Sequence, residues 1–292
     1  MVCVFLDSVP EATASRRHIR PGRWRRRCAP EVWNPLRSSR HCANQHGVAR
    51  TITRTSALTP LAKKLGEDLD GLSFGDPVAY VYNPLVYAWE AHAAYLERYG
   101  QGTREVLFLG MNPGPFGMAQ CGIPFGDVAM VREFLKLEAK VGKPRREHPK
   151  RPVLGFDFTR AEVSGTRFWG WAKTRFGTAE RFFERFFVLN YCPLAFVEES
   201  GRNRTPDKLP TAEREPLLAR CDEALRQVVD VLSPRLVVGV GNFARDAARR
   251  ALEGRAVEVG CVLHPSPASP RANKDWAAAA EADLAKAGVL VG

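Results

Sequence analysis

Clustered metal-ligand residues are missing from this 292-residue chain. Its seven cysteines (Cys3, Cys28, Cys42, Cys121, Cys192, Cys221 and Cys261) are scattered, and no CxxC occurs. Such spacing argues against a disulfide framework and fits reduced thiols in a cytosolic or nuclear protein. It also argues against a structural zinc or an iron–sulfur cluster, whose ligands gather in sequence. No apolar run reaches the roughly 18–20 residues that a membrane span needs. The apolar start from Met1 to Leu6 is too short for a secretory signal, and Asp7 interrupts it. No GKS or GKT is present, which removes the P-loop. Lysine is absent from residues 1–55, which hold eleven Arg and three acids (Asp7, Glu11, Glu31), net +8 of the chain's +11. Only +3 is left for the remainder, so a nucleic-acid contact there must come from a local patch.

What is present divides the chain at about residue 55. Residues 1–55 mix Arg, Pro, Ser and Cys without periodicity and are expected to be a disordered, Arg-rich extension. Its run Arg23-Trp24-Arg25-Arg26-Arg27 reads as a nuclear address, a DNA-grazing tail, part of a transit peptide, or a leader without function. From residue 56 to 292 the pattern is that of one folded domain, and an apolar content of 45% suffices for a core. Four apolar runs, at 106–109, 186–189, 236–240 and 260–263, lack alternation and are bounded by Gly, Asn, His or Pro. Buried parallel strands read this way. Helical periodicity is expected over 84–99, 127–138, 212–232, 243–252 and about 275–287. The alternation predicts an α/β fold, three layers α/β/α around a central, mainly parallel four-stranded sheet.

In such sheets ligands bind beyond the carboxyl ends of the strands. Those ends here carry Met111-Asn112-Pro113-Gly114, Asn190-Tyr191-Cys192-Pro193, Gly241-Asn242 and His264-Pro265-Ser266-Pro267. The loop after the first run holds Gly110, Gly114, Gly117, Gly122 and Gly126, with Pro113, Pro115 and Pro124 stiffening it. By itself that is a turn; Asn112 directly after a strand, and Phe125 on the same loop, make it a candidate wall of a pocket. Asn190 either caps a turn or presents its amide to a base edge, one donor and one acceptor. His264 is one of three histidines beyond residue 55. His92 and His148 have no comparable setting and read as structural or surface.

These segments together resemble the single-strand-selective monofunctional uracil-DNA glycosylases, a branch of the uracil-DNA glycosylase superfamily. The likeness extends to Tyr80-Val81-Tyr82-Asn83-Pro84-Leu85, to 105–126, 147–155, 164–169 and 235–241, and from His264 to Trp276. It covers about residues 60–290. The resemblance implies the fold of that superfamily and a repair enzyme that flips uracil out of DNA and hydrolyses its N-glycosidic bond. It gives Phe125 the stacking role, Asn190 the Watson–Crick edge, His264 a hydrogen bond to base O2, and Asn112 the attacking water. Met111, Gly114 and Met118 join the substrate-binding set, the stretch from Gly114 to Met118 lining the C5 side with room for a 5-hydroxymethyl or 5-formyl group. Ser266, Pro267, Ala268, Ser269, Pro270, Arg271, Asn273 and Lys274 correspond to a DNA-penetrating wedge, with Ala268 where an Arg is common. No Lys stands in the motifs for a Schiff base, so the implied reaction stops at an abasic site. No metal or cofactor is implied. The expected partner is DNA, single- or double-stranded, with no membrane; the protein is expected to be a nuclear monomer. Three rival readings stand beside it: a hypoxanthine- or xanthine-directed sibling, a non-catalytic nucleic-acid-binding protein, and a nucleotide hydrolase built on Gly239-Val240-Gly241-Asn242, which lacks a phosphate-binding Lys.

Overall fold

The computed structural model describes residues 55–291; the expected disordered extension lies, but for its last residue, outside them. The strands are β1 (Val78–Tyr82), β2 (Val106–Gly110), β3 (Phe186–Asn190), β4 (Ala195–Glu198), β5 (Asn203–Arg204), β6 (Leu236–Val240) and β7 (Glu258–Val262). The helices are α1 (Leu58–Asp70), α2 (Pro84–Tyr87), α3 (Trp89–Tyr99), α4 (Met118–Cys121), α5 (Val128–Glu133), α6 (Val163–Phe176), α7 (Ala179–Arg185), α8 (Thr211–Leu232), α9 (Asn242–Ala251) and α10 (Pro270–Lys286). None among the described residues is long and apolar enough to cross a membrane.

The central sheet has the order β3-β2-β6-β7 and is parallel throughout. Every residue of β2 and of β6 is buried, because helices cover both faces. On one face Phe108 and Phe186 pack under Phe168, Trp171 and Phe182 from α6 and α7. On the other, Phe187 stacks on Tyr95 of α3, whose hydroxyl donates to the Val188 carbonyl at 2.8 Å. Helix α9 lies so close to β6 that a Cβ on Gly239 would stand 2.2 Å from the Arg245 nitrogen. That packing accounts for Gly239, one of the two glycines of the nucleotide-hydrolase reading.

The differences from the expected elements are local. β7 begins and ends earlier than expected: Leu263 leaves the ladder, its carbonyl accepting from the Trp276 indole at 2.6 Å. α5 stops at Glu133 because Lys136 turns left-handed (φ 54°), folding Leu135 and Leu137 into the core. The helix expected over 84–99 is split at Ala88, against which Gly122 packs. Two features were not expected at all: helices α1, α4, α6 and α7, and an antiparallel second sheet of order β1-β4-β5. In the central sheet, Gly110 pairs with Asn190 and Val240 with Val262, so the strands end together and their loops open on one edge.

Candidate active site

Beyond the ladder the first two loops stay stitched, Tyr191 N–H to the Gly110 carbonyl at 2.8 Å and Cys192 N–H to the Met111 carbonyl at 2.9 Å. Gly110 is required here. A Cβ on it would meet Asn190 Oδ1 at 2.2 Å and the Phe125 ring at 2.9 Å. The missing side chain lets an amide and an aromatic ring sit against the strand end. Phe125 itself has φ 52°, a left-handed conformation that is strained for a bulky residue. It is held there from below: Gly165 at the start of α6 touches the Phe125 carbonyl so closely that any Cβ would clash. The ring stacks on Phe168 at 4.9 Å and 11° and is only 9% exposed.

Behind these residues lies a cavity of about 260 Å³, far larger than the roughly 30 Å³ a water takes. Met111, Asn112, Gly114, Met118, Phe125, Asn190, His264 and Ser266 all line it. The loops therefore bring the two residues expected to be catalytic together with all five expected to bind substrate. Each polar group has a fixed orientation. Asn112 Nδ2 donates to the Leu194 carbonyl at 3.2 Å, which leaves Oδ1 free to accept. Asn190 Nδ2 lies 3.2 Å from Met118 Sδ, a weak acceptor that leaves the amide edge available to a stronger partner. His264 Nδ1 accepts from the Ser266 N–H at 3.0 Å, so the neutral ring carries its proton on Nε2. Burial lowers the His264 pKa from its ordinary value and keeps the ring neutral. The site thus holds a neutral donor, a free carbonyl acceptor and an amide edge around one aromatic face.

The family model for the uracil DNA glycosylase superfamily matches residues 97–285, the span that contains every one of these groups. This chain belongs to that superfamily. It is similar to the single-strand selective monofunctional uracil-DNA glycosylase of Rattus norvegicus, with 54% identity over 229 residues, 78% of this chain and 82% of the relative. The Bos taurus protein of the same name is 53% identical over 78% of this chain and 84% of its own. Membership therefore extends to the single-strand-selective branch. A crystal structure of Pedobacter heparinus SMUG2 shares the fold at TM-score 0.58 and 17% identity, over 79% of this chain and 97% of that one.

Within this glycosylase fold the segment expected to be the wedge is a built element. Ser269 caps α10 by accepting from the Ala272 N–H at 3.3 Å, and Ser266 Oγ accepts from the Ala268 N–H at 3.2 Å. Asn273 Nδ2 donates to the Pro267 carbonyl at 2.8 Å, while Arg167 reaches Asn273 Oδ1 and the Pro265 carbonyl. Asn273 thus spends its amide on bracing the loop. Pro267, Ala268, Pro270, Arg271 and Lys274 are exposed on it. The helix breaks at Asp275 (φ −161°, ψ 95°), so Pro270 to Lys274 form a separate first turn. His92 and His148 are structural and buried, not surface, hydrogen-bonded to the Gly122 and Glu199 carbonyls.

Sequence reasoning missed four lining residues of the glycosylase cavity: Glu162, Ser164, Asn203 and Thr205. Asn203 and Thr205 follow from the unforeseen second sheet. Glu162 caps α6, its carboxylate accepting from the Gly165 N–H at 2.5 Å. No sequence signal marked it, since α6 was not expected and Glu is not among the preferred N-caps Ser, Thr, Asp and Asn.

Proposed function

We propose that this protein is a monofunctional DNA glycosylase that hydrolyses the N-glycosidic bond of uracil in DNA and leaves an abasic site. The flipped base lies on Phe125. Asn190 reads its edge, the carbonyl accepting from N3–H and the NH₂ donating to O4. Cytosine has no N3 proton and a donor at position 4, so both bonds fail. As the C1′–N1 bond breaks, its electron pair leaves with the base and negative charge grows on O2. The neutral His264 Nε2–H is placed to meet it. A water held by Asn112 Oδ1 then forms the new bond to C1′, its proton passing through solvent to the released uracil anion. An amide is a poor base, so bond breaking runs ahead of water attack.

The observation that carries this reading is the fixed orientation of Asn112, Asn190 and His264 around one cavity floored by Phe125. The names of the relatives, single-strand selective monofunctional uracil-DNA glycosylases, support it. We extend the substrates to 5-hydroxymethyluracil and 5-formyluracil, in single- and double-stranded DNA, and place the protein in the nucleus as a monomer, with residues 1–55 as an extension outside the catalytic domain. The test is incubation with uracil-containing single- and double-stranded oligonucleotides in EDTA, scoring free uracil and alkali-labile sites. Release with strand breakage only after alkali is expected; no release from either substrate overturns the reading.

A further inference from the structure

Uracil's own geometry says which wall of the cavity faces C5. Around the ring the order is O2, N3, O4, C5. With His264 at O2 and Asn190 spanning N3 and O4, the next atom lies past Asn190 on the side away from His264. The donor that would reach O4, Asn190 Nδ2, rests on Met118 Sδ. C5 therefore points toward Met118 and the glycines before it. The structure adds a charged group there. Glu162 Oε1 stands 4.0 Å from where a Cβ on Gly114 would be, and Glu162 Cγ stands 3.0 Å from that position on Gly117. Gly117 is what lets the Glu162 stem approach this wall, while a Cβ on Gly114 would only touch the carboxyl. Its other partners hold it in place: Gly165 N–H on Oε2, and the Ser164 N–H and hydroxyl. The Glu162 N–H is tied in turn to Asp127 Oδ2 at 2.9 Å, which also accepts from Thr166 Oγ1.

On this geometry, and resting on the glycosylase reading, we propose that Glu162 is a specificity-determining residue that selects the C5 substituent by its hydrogen-bonding sense. A carboxylate is acceptor-only. It takes the O–H of a 5-hydroxymethyl group in a charge-assisted bond, ranks the acceptor-only oxygen of a 5-formyl group below it among the substrates, and repels the charge of a 5-carboxyl group. It gives the methyl of thymine nothing in return for losing water. Burial raises the Glu162 pKa, chiefly by desolvation and less by Asp127, so the assays belong on the alkaline side of neutrality, which favours the carboxylate.

The experiment compares kcat/KM for uracil, 5-hydroxymethyluracil and 5-formyluracil in one single-stranded sequence, each modified base normalised to uracil within the same protein. Glu162→Gln keeps an oxygen for Gly165 and turns an NH₂ donor into the cavity. The formyl-to-hydroxymethyl ratio is expected to rise about tenfold, the size of a charge-assisted bond gained or lost. Glu162→Asp keeps the charge but withdraws it by one methylene, so the normalised hydroxymethyl activity is expected to drop while the formyl activity does not. Proportional loss on all three bases would mean that Glu162 only caps α6, and would overturn the proposal, as would ratios that stay fixed. Failure of the parent protein to release uracil at all would instead overturn the glycosylase reading.

Discussion

An amide whose NH₂ is already committed is a different reagent from a free one. Asn112 is pinned by the Leu194 carbonyl, so its oxygen points into the cavity and cannot exchange places with the nitrogen without losing that bond. The side chain can hold a water but not deprotonate it. Asn112→Ala is therefore expected to lose about a hundredfold or more in single-turnover excision, with binding to uracil-containing single strands retained. Excision within a few-fold of the parent would reject the role. Asn112, Asn190 and His264 were legible because each stands at or just past the carboxyl end of a strand, where ligands bind in such sheets. Glu162 was not legible. Its position before α6 is explained by capping alone, and only the packing of Gly114 and Gly117 against it shows a second use.

At the scale of elements, the central sheet could be read because parallel strands buried on both faces leave continuous apolar runs, and β2, β3, β6 and β7 do. The second sheet could not. β1 pairs with β4 across more than a hundred residues, Val81 opposite Phe196, and β5 is two residues long, so neither strand carries a local signature of its partner. The bracing of the segment expected to be the wedge was not legible. Arg167 and Asn273 brace its carbonyls, and the break at Asp275 separates its first turn from the rest of α10. A rigid turn with Ala268 at its tip offers shape without charge. Ala268→Arg is expected to raise excision from duplex DNA several-fold while leaving single-strand excision nearly as it was, because the added cation acts only where strands must be parted against the phosphates. Rates on both substrates, measured at two salt concentrations, check this. An unchanged duplex-to-single-strand ratio shows that the tip charge does not limit opening.

For the molecule as a whole, the buried neutral histidines tie stability to acidity. His92 is 2% exposed, and its Nδ1–H donates to the Gly122 carbonyl at 2.8 Å, joining α3 to the end of the loop that carries the active-site residues. Desolvation lowers its pKa from 6.5 to about 4. Above pH 6.5 neither the folded nor the unfolded chain protonates it, and it adds no pH dependence. Between 6.5 and about 4 the unfolded chain takes up a proton that the folded one refuses, so stability falls as pH falls. Below that window both forms are charged and the loss levels off at about 3 kcal/mol from this residue. His264, also held neutral by burial, pulls in the same direction. Urea unfolding at steps between pH 7.5 and 4 is expected to show this decline in the parent. His92→Gln can still donate to Gly122 but has no proton to gain; it is expected to be somewhat less stable at pH 7.5 and to lose clearly less on acidification. Parallel curves for the two proteins would assign the acid sensitivity to other groups and leave His92 a packing residue only.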